Sequence, residues 1–148
     1  MSDKKPKIGV VGAGHLGKHH IKHLSNHKGV DFVGVFDINE DSLKNICDEF
    51  SVKPLQSLEE LISLCEAVNI VTPTNTHFDI ARKFLNQKKD VFIEKPLTNT
   101  VEEALALINL AKTNECIVQV GHIERFNPTI NKLKESVSYT PLRAHETN

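Results

Sequence analysis

The sequence predicts an α/β domain built on a doubly wound parallel sheet. Three observations predict it. Short apolar runs alternate with segments of helical periodicity, the pattern of a parallel sheet covered on both faces. A tight glycine turn follows the first of those runs at once. The 148 residues suit one domain with a proper core, and no internal repeat, low-complexity tract or flexible linker divides them.

The elements follow in order. Ile8, Val10 and Val11 form the first strand, Gly12-Ala13-Gly14 turns the chain, and Leu16, Ile21 and Leu24 begin a helical rhythm. Residues 30–37 (VDFVGVFD) read as the second strand. Asn39 or Asp41 can cap the next helix, whose Leu43, Ile46, Cys47 and Phe50 recur at helical spacing. A short third strand is expected near 52–55, and Ser57 with Glu60 forms a capping box ahead of Leu58, Leu61, Ile62 and Leu64. Residues 67–71 are the fourth strand, running into a loop at 72–75. The helix expected at 77–87 turns Ile80, Ala81, Phe84 and Leu85 inward.

Residues 90–94 are the fifth strand, stopped by Pro96. Thr100 and Glu103 make a second capping box for a helix reaching about residue 114. Its Val101, Ala104, Leu105 and Ile108 lie on one face and Leu107 and Leu110 on another, the composition of a helix buried on two sides. Residues 117–120 are the sixth strand, ended by Gly121, and Asn127-Pro128 opens a helix through about residue 136. Residues 142–147 resemble the opening of another strand that has no partner, and a lone strand leaves its backbone unpaired. The expected organisation is therefore a disordered, solvated leader at 1–6, the sheet domain at 7–138, and at 139–148 the start of a truncated second domain.

Composition excludes several classes. Eighteen basic residues against nineteen acidic ones give no field for nucleic acid or anionic membrane. No apolar run is long enough to span a bilayer, and the leader lacks the apolar segment of a signal peptide. Cys47, Cys65 and Cys116 are odd in number and widely spaced, which fits reduced thiols. A cytoplasmic protein is the expectation.

The stretch KIGVVGAGHLG carries the most specific chemistry. A strand, a glycine turn and a helix N-terminus stand in the order that a dinucleotide site needs. Gly12 permits the turn, Gly14 lets the backbone approach a pyrophosphate, and Gly17 lets the helix pack on the strand. The free amides of that helix start, at His15 and Leu16, then face the phosphates. Asp37 ends the second strand, 20 residues beyond Gly17, where a carboxylate accepts hydrogen bonds from the adenosine ribose and repels a 2′-phosphate. That favours NAD over NADP; the plainer alternative is an N-cap or turn aspartate. Glu94-Lys95-Pro96 ends the fifth strand, where ligands of open sheets sit. An ammonium there can stabilise the alkoxide that develops as hydride leaves, and the plainer alternative is a surface lysine paired with a carboxylate. His15, His19, His23 and His27 recur every four residues. No carboxylate or cysteine cluster accompanies them, so a solvated histidine face is expected rather than a metal site.

GAGHLG at 12–17, VTPTNTH at 71–77, EKP at 94–96 and VGHIERFNP at 120–128 come in one order and spacing. Together they resemble the glucose–fructose oxidoreductase/inositol dehydrogenase (Gfo/Idh/MocA) family across essentially the whole chain. The resemblance implies a Rossmann domain that binds NAD, followed by an α/β domain that holds a sugar substrate and mediates oligomerisation. It implies that Thr72, Pro73, Asn75 and His77 line the cofactor cleft. Glu94 and Lys95 would lie near the nicotinamide ribose, with Lys95 as the catalytic lysine. His122 would flank the nicotinamide, and Arg125 and Asn127 would be substrate contacts. The GHIERFNP segment is further similar to members that oxidise the 3-hydroxyl of UDP-N-acetylglucosamine. One departure stands out: the family's acid/base histidine lies in an Asp-x-x-x-His pattern, and none follows residue 128, His145 coming too early and without the aspartate. The resemblance thus implies a dehydrogenase whose catalytic site these residues do not complete. The alternative is a non-catalytic NAD-sensing protein on the same fold, against which Lys95 argues.

Overall fold

The computed structural model describes residues 4–138. The element order is β1 (Lys7–Val11), α1 (His15–Ser25), β2 (Asp31–Phe36), α2 (Glu40–Phe50), α3 (Leu58–Leu64), β3 (Ala67–Ile70), α4 (Thr74–Asn86), β4 (Asp90–Ile93), α5 (Val101–Asn114), β5 (Val118–Val120), a 3₁₀ turn (Ile123–Phe126) and α6 (Pro128–Ser138). The five strands form one parallel sheet in the order β2-β1-β3-β4-β5. The chain winds outward from β1 to β2, then crosses back to the other side of β1, which makes the gap between β1 and β3 the switch point. The strand expected near 142–147 lies outside the described residues.

Register decides where function can sit. Val11 stands opposite both Phe36 and Ile70, Ile70 opposite Ile93, and Ile93 opposite Val120. All five strands therefore end level. Residues far apart in sequence, among them Gly12, Asp37, Val71, Glu94 and Gly121, emerge along one edge of the sheet.

Each face of the sheet carries its own core. On one, Ile21 of α1 and Leu43, Ile46 and Cys47 of α2 pack with Val10 and Val35. On the other, Leu61 of α3, Ala81, Phe84 and Leu85 of α4 and Leu107 of α5 pack with Val68, Ile70, Val91 and Ile93. Burial of each large side chain contributes roughly 1.5–3 kcal/mol. This is the doubly wound arrangement that the alternation predicted.

Four expectations need correction. The strand near 52–55 is a single bridge, Val35 to Pro54, because Ser51 is still the C-cap of α2 on one side and β2 ends at Phe36 on the other. Helix α4 begins at Thr74 with Pro73 as its N-cap, so the loop after β3 is shorter than expected. Ser57 caps α3 through the Glu60 N–H, but the Glu60 carboxylate accepts from Gln56 N–H instead of completing the box. Helix α5 does have its full capping box between Thr100 and Glu103, yet it is buried on one side only. Leu107 and Ala111 face the core, while Val101, Leu105 and Ile108 are 69%, 55% and 38% exposed, because no described element covers that face.

Among the described residues the three cysteines are free. Burial pushes the Cys65 thiol up to about 11, so it stays protonated and inert at neutral pH. At the amino end, Lys4 pairs with Glu66, and the Pro6 carbonyl accepts from Asp31 N–H at 3.0 Å.

Candidate functional site

The glycine turn is fixed by contacts that no other residue type would allow. Gly12 has φ +110°, and a Cβ there would lie 2.4 Å from the Val71 carbonyl oxygen. A Cβ on Gly17 would lie 2.0 Å from the Gly12 carbonyl oxygen, so helix and turn touch at backbone distance. Gly14 differs: among the described residues nothing lies within 4 Å of its would-be Cβ. Among these residues no protein atom constrains it, and the space beside it stands open at the start of α1. Gly14 is the N-cap of α1 with no side-chain cap and no acidic residue in the first turn. The first helical bond is Lys18 N–H to Gly14, which leaves the leading amides free for an anion.

Asp37 serves the turn and keeps room for a ligand. Its Oδ2 accepts from Ala13 N–H at 2.6 Å and its Oδ1 from Asn39 N–H at 2.8 Å. The carboxylate thus ties the glycine turn to the end of β2, while Asn39 rather than Asp37 or Asp41 caps α2. A carboxylate oxygen has two lone pairs, so each retains capacity for a ribose hydroxyl.

A cleft of about 630 Å³ runs along the switch point. Gly12, Gly14, Asp37, Thr72, Pro73 and Asn75 line it together, as does the aliphatic wall of Ile38, Leu58 and Ile80. The wall was not singled out in the sequence, where such residues look like any core stripe. The Thr76 hydroxyl sits 2.7 Å from Thr72 Oγ1 and 2.8 Å from the Pro73 carbonyl, and so fixes the start of α4. His15 and Leu16 stand exposed on the first turn of α1, beside this cleft but not among the residues that line it.

His77 takes a different place from the rim. It is 1% exposed, with Nε2 2.8 Å from the Thr72 carbonyl and Nδ1 3.0 Å from the Pro96 carbonyl. It braces the two loops from beneath.

A second cavity of about 420 Å³ is lined by Lys95, Gly121, His122, Ile123, Glu124 and Arg125. Among the described residues no carboxylate pairs with the Lys95 ammonium, so the plainer alternative of a paired surface lysine is not what the structure shows. Glu94 is turned inward beneath it: Oε2 accepts from Lys95 N–H at 3.1 Å, and Oε1 lies 3.0 Å from His20 Nε2. Asn127 stands apart from this cavity. Its Oδ1 accepts from Thr129 N–H at 3.0 Å and its Nδ2 donates to Glu124 at 2.8 Å, the bonds of a helix cap with Pro128 in first position. His15 and His19 meet edge to face at 5.4 Å, and among the described residues no three His, Cys, Asp or Glu side chains gather as a metal site.

Fold and site together define a nucleotide-binding Rossmann domain: a glycine turn, an uncapped helix start and a terminal aspartate around the switch point of a parallel sheet. The chain belongs to the Gfo/Idh/MocA family, the oxidoreductase family with an NAD-binding Rossmann fold, whose model matches residues 6–122. It is 35% identical over 130 residues to the UDP-N-acetylglucosamine 3-dehydrogenase of Acidithiobacillus ferrooxidans, covering 88% of this chain and 41% of that protein. It is 34% identical to the scyllo-inositol 2-dehydrogenase (NAD(+)) of Bacillus subtilis, covering 88% and 40%. A solved structure of the Acidithiobacillus enzyme superposes with a TM-score of 0.84 over 90% of this chain and 43% of that one. The chain spans about two fifths of the length of these relatives. No helix among the described residues is long and apolar enough to cross a membrane.

Proposed function

We propose that these residues form the cofactor-binding part of an NAD-dependent dehydrogenase acting on a secondary hydroxyl of a sugar or nucleotide sugar. The 3-hydroxyl of UDP-N-acetylglucosamine is the first substrate to test, on the strength of the relative that carries that name. The observation that carries the reading is the Lys95 ammonium, with which no carboxylate pairs among the described residues. It stands at the carboxyl end of β4, beside the switch-point cleft, in a cavity shared with His122 and Arg125. Bound NAD supplies the hydride acceptor. Lys95 donates a hydrogen bond to the substrate hydroxyl and holds the oxygen as negative charge grows on it. His122 flanks the reacting ends and Arg125 is placed for an anionic substrate group. Asp37 accepts from the adenosine ribose and disfavours a 2′-phosphate.

The proton from the hydroxyl requires a base. The Asp-x-x-x-His pattern that supplies it in the family does not follow residue 128, so the chain alone is expected to bind NAD without turnover. Substrate holding and self-association are assigned by the same reading to a further α/β domain, and the protein to the cytoplasm.

Titration with NADH and NADPH, followed by nicotinamide fluorescence, tests the cofactor half, and the absence of tryptophan keeps the background low. Tighter NADH binding is expected; a preference for NADPH overturns the role given to Asp37. In an active protein carrying these residues, Lys95→Ala is expected to lower kcat by roughly 10²–10⁴-fold with little change in NADH affinity. Unchanged turnover would overturn the role given to Lys95.

A further inference from the structure

Three of the four histidines of α1, His15, His19 and His23, stand exposed. His20 alone is turned toward the sheet, 18% exposed at its side chain. It lies three residues beyond Gly17, on the helix whose start is locked against the glycine turn. Its Nδ1 is 3.1 Å from Asn69 Nδ2 and its Nε2 is 3.0 Å from Glu94 Oε1. Glu94, 13% exposed, reaches in turn to the Lys95 N–H through its other oxygen.

We propose that Asn69, His20 and Glu94 are positioning residues, a relay of hydrogen bonds that sets the Lys95 turn relative to the helix of the glycine turn. The proposal rests on the reading that the cleft holds a dinucleotide. Its phosphate end is then held by α1 and its nicotinamide end by the Lys95 turn, and the relay joins the two.

The donor and acceptor count closes in one sense. Asn69 Nδ2 can only donate, so His20 Nδ1 accepts. A neutral ring then carries its hydrogen on Nε2 and donates it to Glu94, and Glu94 accepts a second bond from Lys95 N–H. Both ends of the line pack against neighbouring strands. Asn69 stands opposite Phe92 on adjacent strands, and the Phe92 ring centroid lies 5.5 Å from that of His20. Gly121 leaves the space that the carboxylate occupies, since a Cβ there would sit 3.0 Å from both of its oxygens. A charge-assisted bond between partly buried groups is stronger than an exposed pair.

Two measurements test the relay. In the unsubstituted protein, ¹⁵N shifts of His20 at mildly alkaline pH are expected to show a protonated Nε2 and a bare Nδ1, and any other state overturns the proposal. The second measurement compares NADH with ADP, which lacks the nicotinamide end. His20→Phe is expected to weaken NADH about tenfold and leave ADP within about twofold. His20→Gln, which can still present an amide N–H to Glu94, is expected to recover most of the loss. Equal losses for both ligands, or none for either, overturn the relay. If the unsubstituted protein binds neither ligand, the cofactor reading fails instead, and the His20 tautomer decides the relay.

Discussion

The switch-point cleft, with its glycine end, and the Lys95 end of the sheet are built in opposite ways. At the glycine end the backbone does the work: Gly17 meets Gly12 with no room for a methyl group, and the Asp37 carboxylate clamps the Ala13 amide. At the Lys95 end the cavity is lined mostly by exposed side chains on turns, Lys95, His122 and Arg125 among them, over one inward-facing carboxylate. A phosphate wants fixed N–H donors, which backbone supplies, whereas substrate chemistry wants side chains that can be exchanged between relatives on one scaffold.

The largest effect expected on stability breaks the glycine end. Gly17→Val would place its Cβ 2.0 Å from the Gly12 carbonyl oxygen, against backbone that cannot yield. The cost is expected to reach about 3 kcal/mol or more, read as a fall in the urea midpoint, with loss of NADH binding. Gly14→Ala sharpens the contrast. Among the described residues no atom lies near its would-be Cβ, so stability is expected to change by less than about 1 kcal/mol while NADH binding weakens about tenfold. If both variants lose stability alike, the open space at Gly14 is not a ligand's space.

His77 links the two ends, and its removal comes next in size. His77→Leu keeps the volume but leaves the Thr72 and Pro96 carbonyls without the ring between them. The expected cost is about 2 kcal/mol in denaturant unfolding, with weaker NADH binding as both loops relax. A variant as stable as the parent would mean that the loops hold without their brace.

How much of this could be read beforehand follows the same division. The glycine turn, the strand ends and the α5 capping box were legible because each is a local rule written in neighbouring residues. The expected strand at 52–55 shrank to a bridge because Ser51 still caps α2 and β2 ends at Phe36, boundaries that an apolar pattern does not mark. The second face of α5 was misplaced because its apolar pattern says what must be covered and not whether the cover lies among these residues. His20 went unremarked beside the regular row of His15, His19, His23 and His27. The clue was its spacing: it sits one turn beyond Gly17, flanking the buried face that Gly17 and Ile21 define. Glu94 pairs with it across 74 positions, a contact that only register creates. Asn127 shows the reverse, a residue whose motif suggested substrate and whose bonds are those of a helix cap.

The smallest effect lies outside both ends and serves as their control. Glu60 accepts from Gln56 N–H at 2.7 Å and from the Lys53 ammonium at 3.0 Å. The Gln56 amide first, and Lys53 second, hold its carboxyl below the ordinary carboxylate range. A carboxyl depressed in the folded state contributes stability above its unfolded pKa, about 4.3, and loses that contribution as pH falls through the folded value. Glu60→Gln should therefore lower stability slightly at neutral pH and not at all in acid, where the parent's Glu60 is itself protonated. The difference between the two proteins' urea midpoints, followed from neutral pH downward, should shrink to nothing below that window. NADH affinity should stay unchanged throughout, since no bond of Glu60 reaches the cleft. A gap that persists in acid would mean that the substituted amide fails by shape rather than by charge, and an altered NADH affinity would mean that α3 steers the cleft through Leu58.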